Sequence, residues 1–176
     1  IKAIMGIASY GYCARLLGME EVADIYFAKA KEMAGEWVKM ADDGDHYRLT
    51  FDKAGTWSQK YNLVWDKLLG FGIFPDSVAR KEIAYYLGRQ NKYGRPLDSR
   101  RQWTKADWII WSATLAEDRQ TFETLVTPIW NFMNETVLRV PMSDWFFTDK
   151  PNRRGFMARA VVGGYWIKML EPKIKK

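Results

Sequence analysis

The residues with the means to do chemistry sit in three polar, aromatic-rich stretches. The first runs from Asp42 to Tyr61 and holds Asp42, Asp43, Asp45, His46, Trp57, Lys60 and Tyr61. The second, Asn91 to Trp103, holds Asp98, Arg100 and Trp103, and the third, Arg139 to Asp149, holds Asp144 and Trp145. The second and third share a local pattern, Pro96-Leu97-Asp98-Ser99 and Pro141-Met142-Ser143-Asp144, each setting a carboxylate just before aromatics. Standard nucleophile, phosphate-loop and zinc signatures are missing. A hydrolase made from these parts must use carboxylates as general acid and base on an activated water. Asp98, Asp144 and Asp45 are therefore the candidate catalytic groups. Arg100 and Lys60 are candidate anchors for a substrate carboxylate, which an arginine fork suits best. Trp57, Tyr61, Trp103 and Trp145 are candidate walls. Each has a plainer role open to it: Asp98 and Asp144 can pair with arginines or stabilise turns, and the indoles can pin loops. Asp107 reads as a helix cap, three residues after Thr104.

The elements that must position these groups are helical. Strand-like alternation is nearly absent, and seven helices are expected: 1–17, 20–41, 59–70, 76–90, 104–116, 119–135 and 155–170. Gly18 closes the first, Asp76 and Asp118 cap the fourth and sixth, and Thr56–Gln59 and Thr104–Asp107 look like capping boxes. Pro128 lies inside the sixth and should kink or split it. The first, third, fifth and seventh are apolar on most faces, which is the signature of burial on all sides, whereas the others have one wet face. Trp37, Trp108, Trp111 and Trp130 have core spacing, and Cys13 reads as a small buried residue. Short connections alternate with long ones, and all three long ones lead from an outer to an inner helix. They must therefore gather at one end. The fold class is all-α: antiparallel hairpins in two layers, part of an (α/α) toroid that 176 residues would leave incomplete.

Composition sets the remaining bounds. One domain is expected at this length. One cysteine and one histidine exclude a disulfide framework and cysteine- or histidine-built metal centres. No cofactor is expected beyond a weak calcium option at Asp42, Asp43 and Asp45, whose spacing is not that of an EF-hand. The longest uncharged run, residues 3–14, is too short to span a bilayer. The net charge is +6, but its basic residues form only scattered pairs, such as Arg100–Arg101 and Arg153–Arg154, with a Lys173/Lys175/Lys176 tail, so no nucleic-acid partner is expected. The expected ligand is a small polar molecule or a sugar.

Several strings resemble the C-terminal domain of the glutaminase A family: Asp43-Gly44-Asp45-His46-Tyr47-Arg48-Leu49, Gly55-Thr56-Trp57-Ser58-Gln59-Lys60-Tyr61-Asn62-Leu63-Val64-Trp65-Asp66, Pro96-Leu97-Asp98-Ser99-Arg100, Thr104-Lys105-x-Asp107-Trp108, Val140-Pro141-Met142-Ser143-Asp144-Trp145 and Arg159-x-Val161-Val162-Gly163-Gly164. The resemblance implies a toroid similar to the six-hairpin glycosidases, an extracytoplasmic protein, an N-terminal domain of the same chain as partner, and hydrolysis of glutamine to glutamate and ammonia. Glycan cleavage or binding, and a purely structural role, are the rival readings.

Overall fold

The computed structural model describes residues 1–174. Lys175 and Lys176 of the basic tail lie outside the described residues. Helix α1 (Lys2–Leu16) ends at Gly18, whose φ of 74° is in the left-handed region, and Met19 N–H closes back on Ala14 O at 3.0 Å. The chain reverses into α2 (Glu20–Ala41). The two helices approach closely because the residues between them are small. A Cβ on Gly11 would sit 3.1 Å from Ala23 O, and Ala8, Ala23, Ala30 and Ala34 are all buried.

A 3-10 turn (Tyr61–Leu63) leads into α3 (Val64–Leu69), stopped by left-handed Gly70. The buried Asp66 carboxylate accepts the N–H groups of Ile73 and Phe74 and so fixes the turn into α4 (Asp76–Leu87). Strand β1 (Trp103–Lys105) precedes α5 (Ala106–Ala113). Helix α6 (Arg119–Glu135) starts as expected, with Asp118 accepting Thr121 N–H at 2.7 Å. It also runs through Pro128 unbroken. Proline has no N–H for the carbonyl of Thr124, and Gln90 Nε2 donates to that oxygen instead at 3.1 Å. Strand β2 (Trp145–Phe147) is followed by a 3-10 segment (Ala160–Trp166) and α7 (Ile167–Ile174).

The architecture is mostly helical, with seven α-helices among the described residues, and the three long connections do gather. Gln59 N–H bonds Leu97 O, Ser99 N–H bonds Trp57 O, and Thr148 N–H bonds Gln102 O. β1 and β2 pair antiparallel, with Trp103 opposite Phe147 and Lys105 opposite Trp145. The ribbon is an addition that the helical reading did not contain.

Several expectations need correction. Neither capping box forms. Gln59 points into the core toward Pro96 O and Thr104 Oγ1, and Thr104 lies in β1 rather than opening a helix. Asp76 is the first residue inside its helix, with Pro75 at the cap position. The last helical stretch begins at Ala160, not Gly155, and as a 3-10 segment. Burial on all sides fails for the first and last helices: Tyr10, Leu16, Leu17, Trp166 and Met169 are exposed. Cys13 is exposed too, on the outer side of α1. Trp130 is 70% exposed because it points away from the Leu125–Ile129–Phe132 face that α6 buries.

Candidate active site

Asp144 and Asp107 are brought together by the junction of ribbon and helix. The residue before β2 accepts Ala106 N–H on its backbone carbonyl at 2.9 Å, so Asp144 lies beside the first turn of α5, where Asp107 sits. The Asp144 side chain is fully buried. Lys105 Nζ donates to its Oδ2 at 3.0 Å, Arg159 Nε to its Oδ1 at 3.1 Å, and Arg159 Nη2 closes a second short contact on Oδ2. Burial pushes this carboxyl up, but the hydrogen bonds and charges of Arg159 and Lys105 outweigh it and hold its pKa below the usual aspartate value.

Asp107 has the opposite environment. It is 5% exposed, and its Oδ1 has no hydrogen-bond partner among the described residues. Burial, and next the negative charge of Asp144, push its pKa up to about 6, against the weaker pull of Lys105 and the first backbone N–H groups of α5. Two carboxyls are thus neighbours with their proton affinities driven apart, an arrangement by which acid and base roles are divided in hydrolytic sites.

The segment after Arg159 covers this pair. Trp111 Nε1 donates to Gly164 O at 3.1 Å, and a Cβ on Gly164 would fall 2.8 Å from that indole nitrogen and 3.1 Å from Asp107 Cβ. Only glycine lets the backbone lie so close. The Tyr165 phenol is raised above its ordinary value by burial and by the charges of Asp107 and Asp144. Beside Asp107, Tyr61 stacks on Trp108 with ring centres 4.1 Å apart, and Trp111 meets Trp65 edge-on at 5.1 Å.

Most of the other residues singled out from sequence make their contacts away from this pair. Asp98 is buried and paired: Arg100 gives it a backbone N–H, Nε at 2.9 Å and Nη2 at 2.7 Å. Asp45 is largely exposed and bonds His46 Nδ1 at 2.7 Å. Among the described residues, Asp45, Asp98 and Asp144 share no partner. Lys60 is buried, and its ammonium already donates to Tyr47 O, Ser58 O and Ser58 Oγ, with Glu82 3.8 Å away. Burial lowers its pKa to about 8 against the pull of Glu82. Trp57 packs in the core, edge-on to Tyr85, whereas Trp103 and Trp145 are half-buried on the ribbon and meet edge-on at 6.1 Å. The calcium option finds no cage. Asp42 turns to Lys81, Asp43 to Arg48 and Gly55 N–H, and among the described residues no group of three or more carboxylate, histidine or cysteine side chains is placed to hold a metal ion.

Sequence reasoning passed over Asp107, Lys105 and Arg159. The capping-box spacing gave Asp107 a sufficient local role, and nothing in a linear reading joins Lys105 to Arg159.

A model of the glutaminase A six helical-hairpin domain matches residues 1–169. The chain belongs to that family. It is 30% identical over 173 residues to the glutaminase A of Aspergillus oryzae, covering 93% of this chain and 25% of the relative. It is 28% identical over 206 residues to a probable glutaminase of Arthroderma benhamiae, covering 94% and 23% respectively. The chain therefore spans about a quarter of the length of these glutaminases. No solved structure matches significantly. Within the six helical-hairpin family, the quoted strings that carry the resemblance coincide with the three joined connections and with the Asp107–Asp144 junction.

Proposed function

We propose that this chain is the carboxylate-bearing part of a glutaminase-like amidohydrolase, with Asp107 as the proton-transfer group. The supporting observation is a buried carboxyl with one oxygen unpaired and its pKa near 6, set beside a carboxylate that stays ionised. In this reading ionised Asp107 takes a proton from water as the water oxygen bonds to the carboxamide carbon of glutamine. The same proton then passes to the amide nitrogen as the C–N bond breaks, restoring Asp107 and giving a carboxylic acid and ammonia, which exchange the remaining proton to leave carboxylate and ammonium. Asp144 is a positioning residue here, because its buried carboxylate faces Lys105 and Arg159 and reaches the reaction through Asp107. Arg100, exposed and held by Asp98, suits the substrate carboxylate better than Lys60, whose donors are already used. An extracytoplasmic location and an N-terminal partner domain belong to the same proposal.

Glycoside cleavage is the second reading. It draws on the ribbon aromatics Trp103 and Trp145 and on the pair of carboxyls that such cleavage needs. The full-length protein and its Asp107→Asn variant, assayed on glutamine and on an oligosaccharide panel, separate the readings. The expected result is ammonia release that falls by about 10²–10⁴-fold in the variant. Unchanged release would remove Asp107 from the mechanism. Release of sugars alone would establish the second reading. Loss of nothing but a change in stability, with no turnover of either substrate, would leave a structural role.

A further inference from the structure

Basic residues that stand far apart in sequence are brought into one region by the ribbon. Residues 98–105 and 144–159 hold seven basic and three acidic groups, +4 of the chain's net +6. The ribbon assembles them. Thr104 and Phe146 face inward and are fully buried, while Trp103, Lys105, Trp145 and Phe147 form the outward, half-exposed face. The chain after β2 folds back along this face through Phe147 N–H to Asn152 O at 2.9 Å and Arg154 N–H to Trp145 O at 2.8 Å. That return lays the Arg154 guanidinium over Trp103 at 4.8 Å and over Trp145 at 5.3 Å, and Lys150 over Phe147 at 4.3 Å. Gly155 permits the close approach, since a Cβ there would lie 2.9 Å from the Trp145 ring.

Of the three acids, Asp98 is paired with Arg100, Asp144 with Lys105 and Arg159, and Asp149 is exposed next to Lys150. Arg101, Lys150, Arg153 and Arg154 have no carboxylate partner among the described residues. Lys150 and Arg154, held over aromatic rings, and the exposed Arg101 make a partly preorganised anion-binding face. The ordering of Lys150 and Arg154 has been met in folding rather than at binding.

We propose that the outward face of the β1–β2 ribbon binds an acidic polysaccharide, through carboxylate or sulfate groups contacting Arg101, Lys150 and Arg154. Charge complementarity sets the sign of the partner. Two features of the ribbon select its class. Both edges are taken, β1 by Leu97 N–H on Trp103 O and β2 by the returning chain, so no peptide strand can be added. The indole faces already carry Arg154 and Lys105, so stacking of bases, on which single-stranded nucleic acid relies, is obstructed. A stiff chain with repeated oxyanions needs neither an edge nor a bare ring face.

Affinity electrophoresis of the 176-residue chain through polygalacturonate or dextran sulfate gels tests this, with neutral dextran, poly-glutamate and single-stranded DNA as comparators. Retardation by both acidic polysaccharides and none by dextran is expected, weakening steeply with salt as counterions are no longer released. Arg101→Gln with Lys150→Gln should weaken retardation at least tenfold, and Arg154→Gln by a similar factor. Lys29→Gln with Lys31→Gln, on α2, should change nothing. Circular dichroism checks folding. If Arg154→Gln misfolds, the exposed Arg101/Lys150 pair decides. No retardation, equal weakening by the α2 pair, or tighter binding of poly-glutamate or DNA would each overturn the proposal.

Discussion

Burying a carboxyl with one oxygen left unpaired penalises its charged form, and at Asp107 that penalty has a pH signature. The folded pKa of about 6 lies above the ordinary 3.8. Between those values the native state holds a proton that the unfolded chain has released, so stability falls as pH rises from about 4 to 6 and stays lower above. Asp107→Asn removes the charge. It should stabilise the protein by about 1–3 kcal/mol at pH 7 and leave it unchanged near pH 4, as measured by urea unfolding at the two pH values. In active protein the same proton should appear as an acid limb near pH 6 in the rate profile. Asp144 behaves oppositely. Its depressed pKa contributes stability that is present above the usual aspartate range and lost as pH falls through the lowered value. Asp144→Asn strands Lys105 and Arg159 and should cost about 3–5 kcal/mol. Removing its negative charge should also move the Asp107 limb to lower pH, a shift that simple loss of packing would not produce.

At the scale of elements, local signals and long-range ones had different fates. Helix α6 was legible because its cap is written in consecutive residues. Asp118 holds both the N–H and the hydroxyl of Thr121, and Asp118→Ala should cost about 1 kcal/mol in thermal unfolding. Its continuity through Pro128 was not legible, since the donor that fills the gap, Gln90, lies on the far side of a connection. Gln90→Ala should cost a further 1–2 kcal/mol, roughly the desolvation of one stranded carbonyl, and should speed amide exchange around Thr124 more than at either end of the helix. The ribbon escaped notice for a related reason: two three-residue strands, about 40 residues apart, show no alternation to read. With β1 unseen, Thr104 became a helix start and Asp107 its cap, so the residue on which the proposed chemistry rests was assigned to structure.

Across the whole molecule, the convergence of the three long connections followed from the alternation of short and long links, whereas the side chains that lock them together did not. Gln59 is the clearest lock. It is 3% exposed, and its Nε2 donates to Pro96 O at 3.0 Å and Thr104 Oγ1 at 3.2 Å, while Ser112 Oγ bonds its Oε1 at 3.0 Å. One amide therefore joins the first connection to the second, to β1 and to α5, and through β1 to the third. Gln59→Ala leaves buried acceptors unpaired on two of these segments, at an expected cost of about 2–4 kcal/mol. If the connections act as one unit, amide exchange should quicken together at Leu97, whose N–H bonds within the second connection, and at position 59 and Thr148, whose N–H groups bond across to it, and ammonia release should fall although Gln59 lies apart from the proposed chemistry. If exchange quickens only at Leu97, the connections are independent. The Asp107–Asp144 junction then owes its shape to the ribbon alone.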